Sequence, residues 1–223
     1  MATLRKLVFR EGEIYHIFNR GIERRTTFTE KREFERMQKL VKFYRHKDIP
    51  VRFSQVIQQP EEIREKLLAA LYKSERAVDI LSYCLMPNHF HFMLKQNTDK
   101  GISSFISNIT NAYTKYFNTK YERTGPLFEG VFKAVHIESD EQLVHVSRYI
   151  HLNPVASGVI PDDKLESYQW SSYPEYLSLS NLEISQTDLI LSMFKTIKAY
   201  QEFVNNQIDY GKQLEAIKHL TFE

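Results

Sequence analysis

Two histidines have the clearest chemical potential in this chain: His89 and His91, one residue apart in the run "CLMPNHFHFMLK" from Cys84 to Lys95. Side chains alternate faces along a strand, so the two imidazoles share one face while Phe90, Phe92 and Leu94 share the other. Same-face neighbours stand roughly 7 Å apart at Cα, which lets both rings converge on one divalent ion. Two imidazoles do not make a site. A third protein ligand is needed, and a catalytic ion also keeps one position open for substrate. The plain alternative is a pair of polar residues on the wet side of a half-buried strand, and H-x-H alone does not separate the two.

The segment "SDEQLVHVSRYIHLNP" holds the second pair, Tyr149 and Asn153, one helical turn apart. Helical spacing lines up His145, Tyr149 and Asn153, with Leu143, Val146 and Ile150 as the stripe that packs. An amide oxygen is a hard ligand suited to Mg²⁺ or Mn²⁺, and a phenol one turn away can act as a nucleophile. Asn153 before Pro154 also fits a helix C-cap, and Tyr149 is one of thirteen tyrosines, a residue that more often packs or lies on the surface. Tyr113 and Tyr116 are rival phenols, but they fall on an apolar stripe and lack a ligand-type residue one turn on, so they read as core.

The elements that must position these residues alternate in type. "EIYHIFNRG" (13–21) reads as a strand closed by a glycine turn, and residues 30–47 carry Phe34, Met37, Leu40, Val41 and Tyr44 at helical spacing. "VRFSQVIQ" (51–58) reads as a second strand ended by Pro60, and residues 61–76 as a short helix. "VDILSYCLM" and the histidine segment form a strand pair or a long strand bent at Pro87. Residues 103–121 are helical, "LFEGVFKAVHI" is a strand, and a helix then opens on a capping box of Ser139 and Gln142 and stops at Pro154. Residues 187–204 read as helical. This order predicts an α+β fold, the ferredoxin-like split βαβ with an antiparallel sheet and helices on one face. A helical insertion at about 60–76 and a helical C-terminal extension are added to it. The expected division is a catalytic domain over 1–160 and an extension over 161–223 packing on or beside it.

The bulk properties set limits. No apolar run among the 223 residues approaches the roughly 20 needed to cross a membrane, and the single cysteine, Cys84, rules out an internal disulfide framework. A soluble, cytoplasmic protein is expected. Net charge is only +2, yet residues 1–53 hold fourteen Lys/Arg against seven Asp/Glu, and residues 137–188 hold two against nine. A polyanion should therefore prefer the N-terminal half, although a solvated helix face accounts for such charge equally well.

Taken in order, "YHIFNRG", "YCLMPNHFHFML", "RTGPLFEGVFKA", "RYIHLNPVASG" and "WSSYPEYL" resemble the HUH single-strand DNA transposases. The branch they resemble is that of the REP-associated tyrosine transposases, related to the small insertion-sequence transposases, and the similarity spans roughly residues 13–176. The resemblance implies a ferredoxin-like domain whose histidine pair binds a divalent metal, Mg²⁺ or Mn²⁺. It implies that a helix tyrosine attacks a phosphodiester of single-stranded, hairpin-bearing DNA, leaving a 5′-phosphotyrosine link and a free 3′-OH. Carried over by residue, His89 and His91 are the metal ligands, Tyr149 the nucleophile and Asn153 the third, amide-type ligand. Phenols ionise near pH 10, so a nearby cation is the expected means of activating one at neutral pH. Arg20 and Lys133 are candidate phosphate contacts, and His16 is a candidate to face the DNA site. A homodimer is an allowed working unit. The insertion at 60–76 departs from the shorter connection often found in the family.

Two other classes compete. A domesticated, non-cleaving single-strand-binding module would keep the basic and aromatic surface, but a damaged H-x-H or a lost tyrosine would mark it, and neither is present. A small-molecule metallohydrolase would need a third histidine or a carboxylate placed as general base.

Overall fold

The computed structural model describes residues 7–208. Residues 209–223 of the expected C-terminal extension, with Arg5 and Lys6 of the basic N-terminal half, lie outside the described residues. The chain runs β1 (Ile14–Arg20), α1 (Lys31–Tyr44), α2 (Phe53–Ile57), α3 (Glu61–Tyr72), β2 (Val78–Met86), β3 (His89–Gln96), α4 (Gly101–Lys120), β4 (Lys133–Ile137) and α5 (Asp140–Ala156). The shorter α6 (Tyr173–Tyr176), α7 (Asp188–Leu191) and α8 (Ile197–Asn205) follow.

The four strands lie in the order β2-β3-β1-β4 with every neighbouring pair antiparallel. β3 thus sits between β1 and β2, the split βαβ arrangement expected from the sequence. Aromatic and β-branched residues make up most of β1, and β3 alternates Phe90 and Phe92 with the histidines, as suits a pleated, half-buried surface.

Alternation along the strands creates two cores. On one face Tyr15, Ile17, Phe90, Phe92 and Leu94 pack with Met37, Leu40 and Val41 of α1 and Phe105, Ile109 and Tyr113 of α4. On the other, Cys84, Met86 and Met93 pack with Leu143, Ile150, Leu152 and Val155 of α5. Helices therefore cover both faces, not one: α1 and α4 share a side as expected, and α5 takes the opposite side. The apolar run of β2 already carries that signal, because a strand buried on both faces cannot alternate with polar residues.

Three further expectations change. Residues 51–58 are not a strand: Phe53 and Val56 are buried three apart on α2, and the Gln55 side-chain oxygen accepts from the Arg52 N–H at 3.0 Å to start the turn. α5 does not stop at Pro154 but runs to Ala156, closed by Ser157 N–H to the Asn153 carbonyl at 3.0 Å and Val159 N–H to the Pro154 carbonyl at 2.8 Å. A proline in the last turn forfeits little, since only one intrahelical bond is lost there. Residues 187–204 split into α7 and α8, because the Thr196 hydroxyl accepts from the Ala199 N–H at 3.1 Å and begins a new helix. The helical insertion is present as α3, where only Leu71 is buried.

Residues 168–172 cover the outer edge of β2, with Leu85 N–H donating to the Trp170 carbonyl at 2.8 Å and Ser172 N–H to the Tyr83 carbonyl at 2.9 Å. An edge strand is thereby protected from stray pairing.

Candidate active site

The histidine segment folds as strand alternation requires. His89 and His91 point to the α5 side of β3 together with Met93, and Phe90 and Phe92 to the other core. Across the ladder His91 faces Phe18 and His89 faces Arg20, while Phe18 also faces Lys133 of β4. One face of three adjacent strands so presents both imidazoles, the Arg20 guanidinium and the Lys133 ammonium. His16, two residues before Phe18, lies diagonal to His91, and His16 Nε2 stands 3.0 Å from His91 Nδ1.

The turn joining β2 to β3 is held from behind. Gly21 N–H donates to the Asn88 carbonyl at 2.7 Å, and Thr27 and Phe28 N–H groups to the Pro87 carbonyl at 2.8 and 2.9 Å. Gly21 is required here, because a Cβ would run into the Arg25 carbonyl oxygen and the Thr27 methyl. That explains the glycine ending "YHIFNRG".

The other half of the site comes from α5. As expected, the Ser139 hydroxyl accepts from the Gln142 N–H at 3.2 Å, while the Gln142 side chain accepts from the Glu138 N–H at 2.8 Å and not from that of Ser139. The buried stripe is Leu143, Ser147 and Ile150, with Val146 only half-buried, because the Ser147 hydroxyl meets the Tyr200 hydroxyl of α8 at 2.8 Å. Tyr200 also bonds His151 Nδ1 at 2.8 Å, and Ser172 bonds His151 Nε2 at 2.7 Å. Burial pushes the His151 pKa down to about 3, so this imidazole is neutral and bridges α5 to the chain that follows. His145 turns away from the candidate site, toward Arg148 and the Phe203 ring.

With α5 so anchored, the Tyr149 ring stands edge-on to His91 at 5.5 Å between centroids and to His16 at 5.9 Å. Tyr149 is 37% exposed, whereas Asn153 is 4% exposed and donates its Nδ2 to the Tyr149 carbonyl at 2.9 Å. The amide nitrogen is thus committed to the backbone, and the oxygen is the end of Asn153 suited to ligation. Arg20, His89, His91, Lys133, Tyr149 and Asn153 all line one cavity of about 470 Å³. His16 joins them through His91 and Tyr149. The rivals are placed differently: Tyr113 is buried, its hydroxyl donating to the Thr27 carbonyl at 2.5 Å, and burial raises its pKa far above the phenol range.

Two residues of the site escaped sequence reading. Glu129 lines the same cavity, fixed by its N–H bonding the Arg20 carbonyl at 2.7 Å, and Asn88 Oδ1 lies 2.6 Å from His89 Nδ1. Both stand inside quoted motifs, but only the folded turn shows what their side chains reach. Among the described residues no three His, Cys, Asp or Glu side chains gather as a metal-binding group. Of the groups lining the cavity, the His89 and His91 imidazoles and the Asn153 amide oxygen are donor types that together suit Mg²⁺ or Mn²⁺.

The comparisons with known proteins agree with this architecture. A solved REP-associated tyrosine transposase bound to a REP hairpin is similar in fold, with a TM-score of 0.52 and 14% identity, over 82% of this chain and 90% of that one. No curated protein sequence matches. Residues 50–153 match the family model described as "Transposase IS200 like", a stretch that contains His89, His91, Lys133, Tyr149 and Asn153 and leaves out His16 and Arg20. That match covers residues 50–153 of the 223, and the likeness to the solved transposase shows a shared fold.

Proposed function

We propose that this protein cleaves and rejoins single-stranded, hairpin-bearing DNA through a covalent 5′-phosphotyrosine intermediate on Tyr149. The observation that carries the reading is the convergence of Tyr149, His89, His91 and Asn153 on one cavity, from opposite halves of the fold. His89, His91 and Asn153 are the residues that would hold a divalent ion. When bound, that ion supplies Lewis-acid polarisation of the scissile phosphate and favours the phenolate form of a neighbouring tyrosine.

The chain's own groups do the rest. Arg20 and Lys133 flank the cavity and offset the charge of the DNA backbone, which also aligns the phosphate for in-line attack. Tyr149 gives up its proton, its oxygen bonds to phosphorus, and the bond from phosphorus to the 3′ oxygen breaks, that oxygen leaving as a hydroxyl. Phosphodiester energy is kept in the phosphotyrosine, so a 3′-OH of another strand can reverse the step without ATP. The half-exposed position of Tyr149 suits this exchange of strands, and a buried phenol such as Tyr113 would not. On this reading residues 1–160 form the catalytic unit and residues from 161 support it. The stretch from 161 does so through the Ser172 and Tyr200 contacts to His151.

The test uses a REP-type hairpin oligonucleotide with single-stranded flanks, labelled at either end, with Mn²⁺. The 3′-terminal label should travel with the protein on a denaturing gel and the 5′-terminal label should appear on a shorter fragment ending in 3′-OH. Release of both labels as free fragments would mean hydrolysis without a covalent step and would overturn the proposal.

A further inference from the structure

We infer that Asn88 and His16 are positioning residues that fix the ring tautomers of His89 and His91, so that both imidazoles carry their lone pair on Nε2. The inference rests on the metal reading above and deepens it.

The assignment for His89 follows from hydrogen-bond arithmetic. Asn88 Nδ2 donates to the Arg24 carbonyl at 3.1 Å, and a carbonyl oxygen can only accept, which fixes the amide's orientation. Asn88 Oδ1 therefore faces His89 Nδ1 at 2.6 Å. An amide oxygen donates nothing, so the hydrogen sits on Nδ1, and a neutral imidazole with its hydrogen there has its lone pair on Nε2. Asn88 is itself rigid, because Gly21 holds its carbonyl and Thr27 and Phe28 hold that of Pro87.

The second imidazole meets a different partner, another imidazole. His91 Nδ1 and His16 Nε2 are 3.0 Å apart, so one nitrogen carries the hydrogen and the other accepts it. We assign the hydrogen to His91 Nδ1, which gives His91 the tautomer of His89; the reverse bond, from His16 Nε2–H, is the outcome that would refute this half of the inference. Imidazoles that ligate metals commonly donate their other ring N–H in this way, and the partner sets both ring angle and basicity. His16 thereby acts through His91.

Long-range ¹H–¹⁵N correlation spectra of the metal-free protein at pH 8 read both tautomers directly, and the loss of the free Mn²⁺ resonance signal reads affinity. The wild type should show Nδ1–H at His89 and His91. Asn88→Ala should move His89 alone toward Nε2–H, His16→Ala should move His91 alone, and each should weaken Mn²⁺ binding by about 10- to 100-fold. Asn88→Asp and His16→Gln keep an acceptor oxygen and should restore tautomer and most of the affinity, which a merely structural role would not predict. Nε2–H at either histidine in the wild type, or unchanged Mn²⁺ affinity in both alanine variants, overturns the inference. A wild type that binds no Mn²⁺ overturns the metal reading instead, and the tautomer spectra then decide the positioning role alone.

Discussion

At the scale of single residues, the proposed function separates groups that react from groups that hold charge. Arg20 and Lys133 reach the cavity from β1 and β4, the elements opposite α5, so their removal should act chiefly on DNA. Arg20→Ala and Lys133→Ala should each weaken single-strand binding across all sequences and lower the slope of log affinity against log salt by about 0.7. Fluorescence anisotropy over a salt series measures this, and an unchanged slope would remove either residue from the phosphate contacts. The residues legible in the sequence were those whose placement follows from periodicity. His89 and His91 obey the two-residue repeat of a strand, and Tyr149 and Asn153 the turn of a helix. Asn88 and Glu129 were not legible, since their places depend on a turn and a loop that backbone hydrogen bonds from Gly21, Thr27, Phe28 and Arg20 close.

At the scale of elements, α5 must hold Tyr149 against β3, and the buried network of Ser147, His151, Ser172 and Tyr200 does this from behind. Tyr200→Phe removes the hydroxyl shared by Ser147 and His151 and leaves two buried polar groups unsatisfied. Urea denaturation should show a loss of about 1–3 kcal/mol; full stability would mean that α8 does not brace α5. The opposite layer has its own buried polar tie. Glu33 of α1 is buried, accepts from Lys120 and Tyr121 at 2.7 Å each at the end of α4, and also accepts from Thr29. Burial alone would raise its pKa, but those donors lower it on balance. A carboxyl with a depressed folded pKa contributes stability that is fully present above its ordinary value near 4.5 and is lost as pH falls through the folded value. Glu33→Gln should therefore cost about 1.5–3 kcal/mol at pH 7 and less as the pH falls below 4.5, read from denaturation midpoints at pH 7 and pH 3. Equal cost at both pH values would contradict the ionised role. Sequence patterning gave α1, α4 and β1 within a few residues because each has a regular stripe, and α3 because a helix-favouring run follows Pro60. It missed α2, whose five residues are too short for a period, and the side on which α5 lies, which is a tertiary choice.

For the whole molecule, the antiparallel β2-β3-β1-β4 sheet works as a partition. Its α1 and α4 side is the larger aromatic core, and its α5 side brings a strand pair and a helix tyrosine 58 residues apart in sequence (149 − 91) to 5.5 Å between the His91 and Tyr149 rings. The family match over residues 50–153 and the ferredoxin-like fold are established, and the chemistry proposed for them rests on this meeting of two elements. The most direct test is to digest the covalent complex formed with Mn²⁺ and hairpin DNA with trypsin and nuclease and locate the nucleotide by mass spectrometry. The nucleotide phosphate should be found on the peptide 149–164, at Tyr149, and Tyr149→Phe should yield no adduct while still binding the hairpin. A nucleotide on any other tyrosine, or an adduct that survives Tyr149→Phe, would contradict the account.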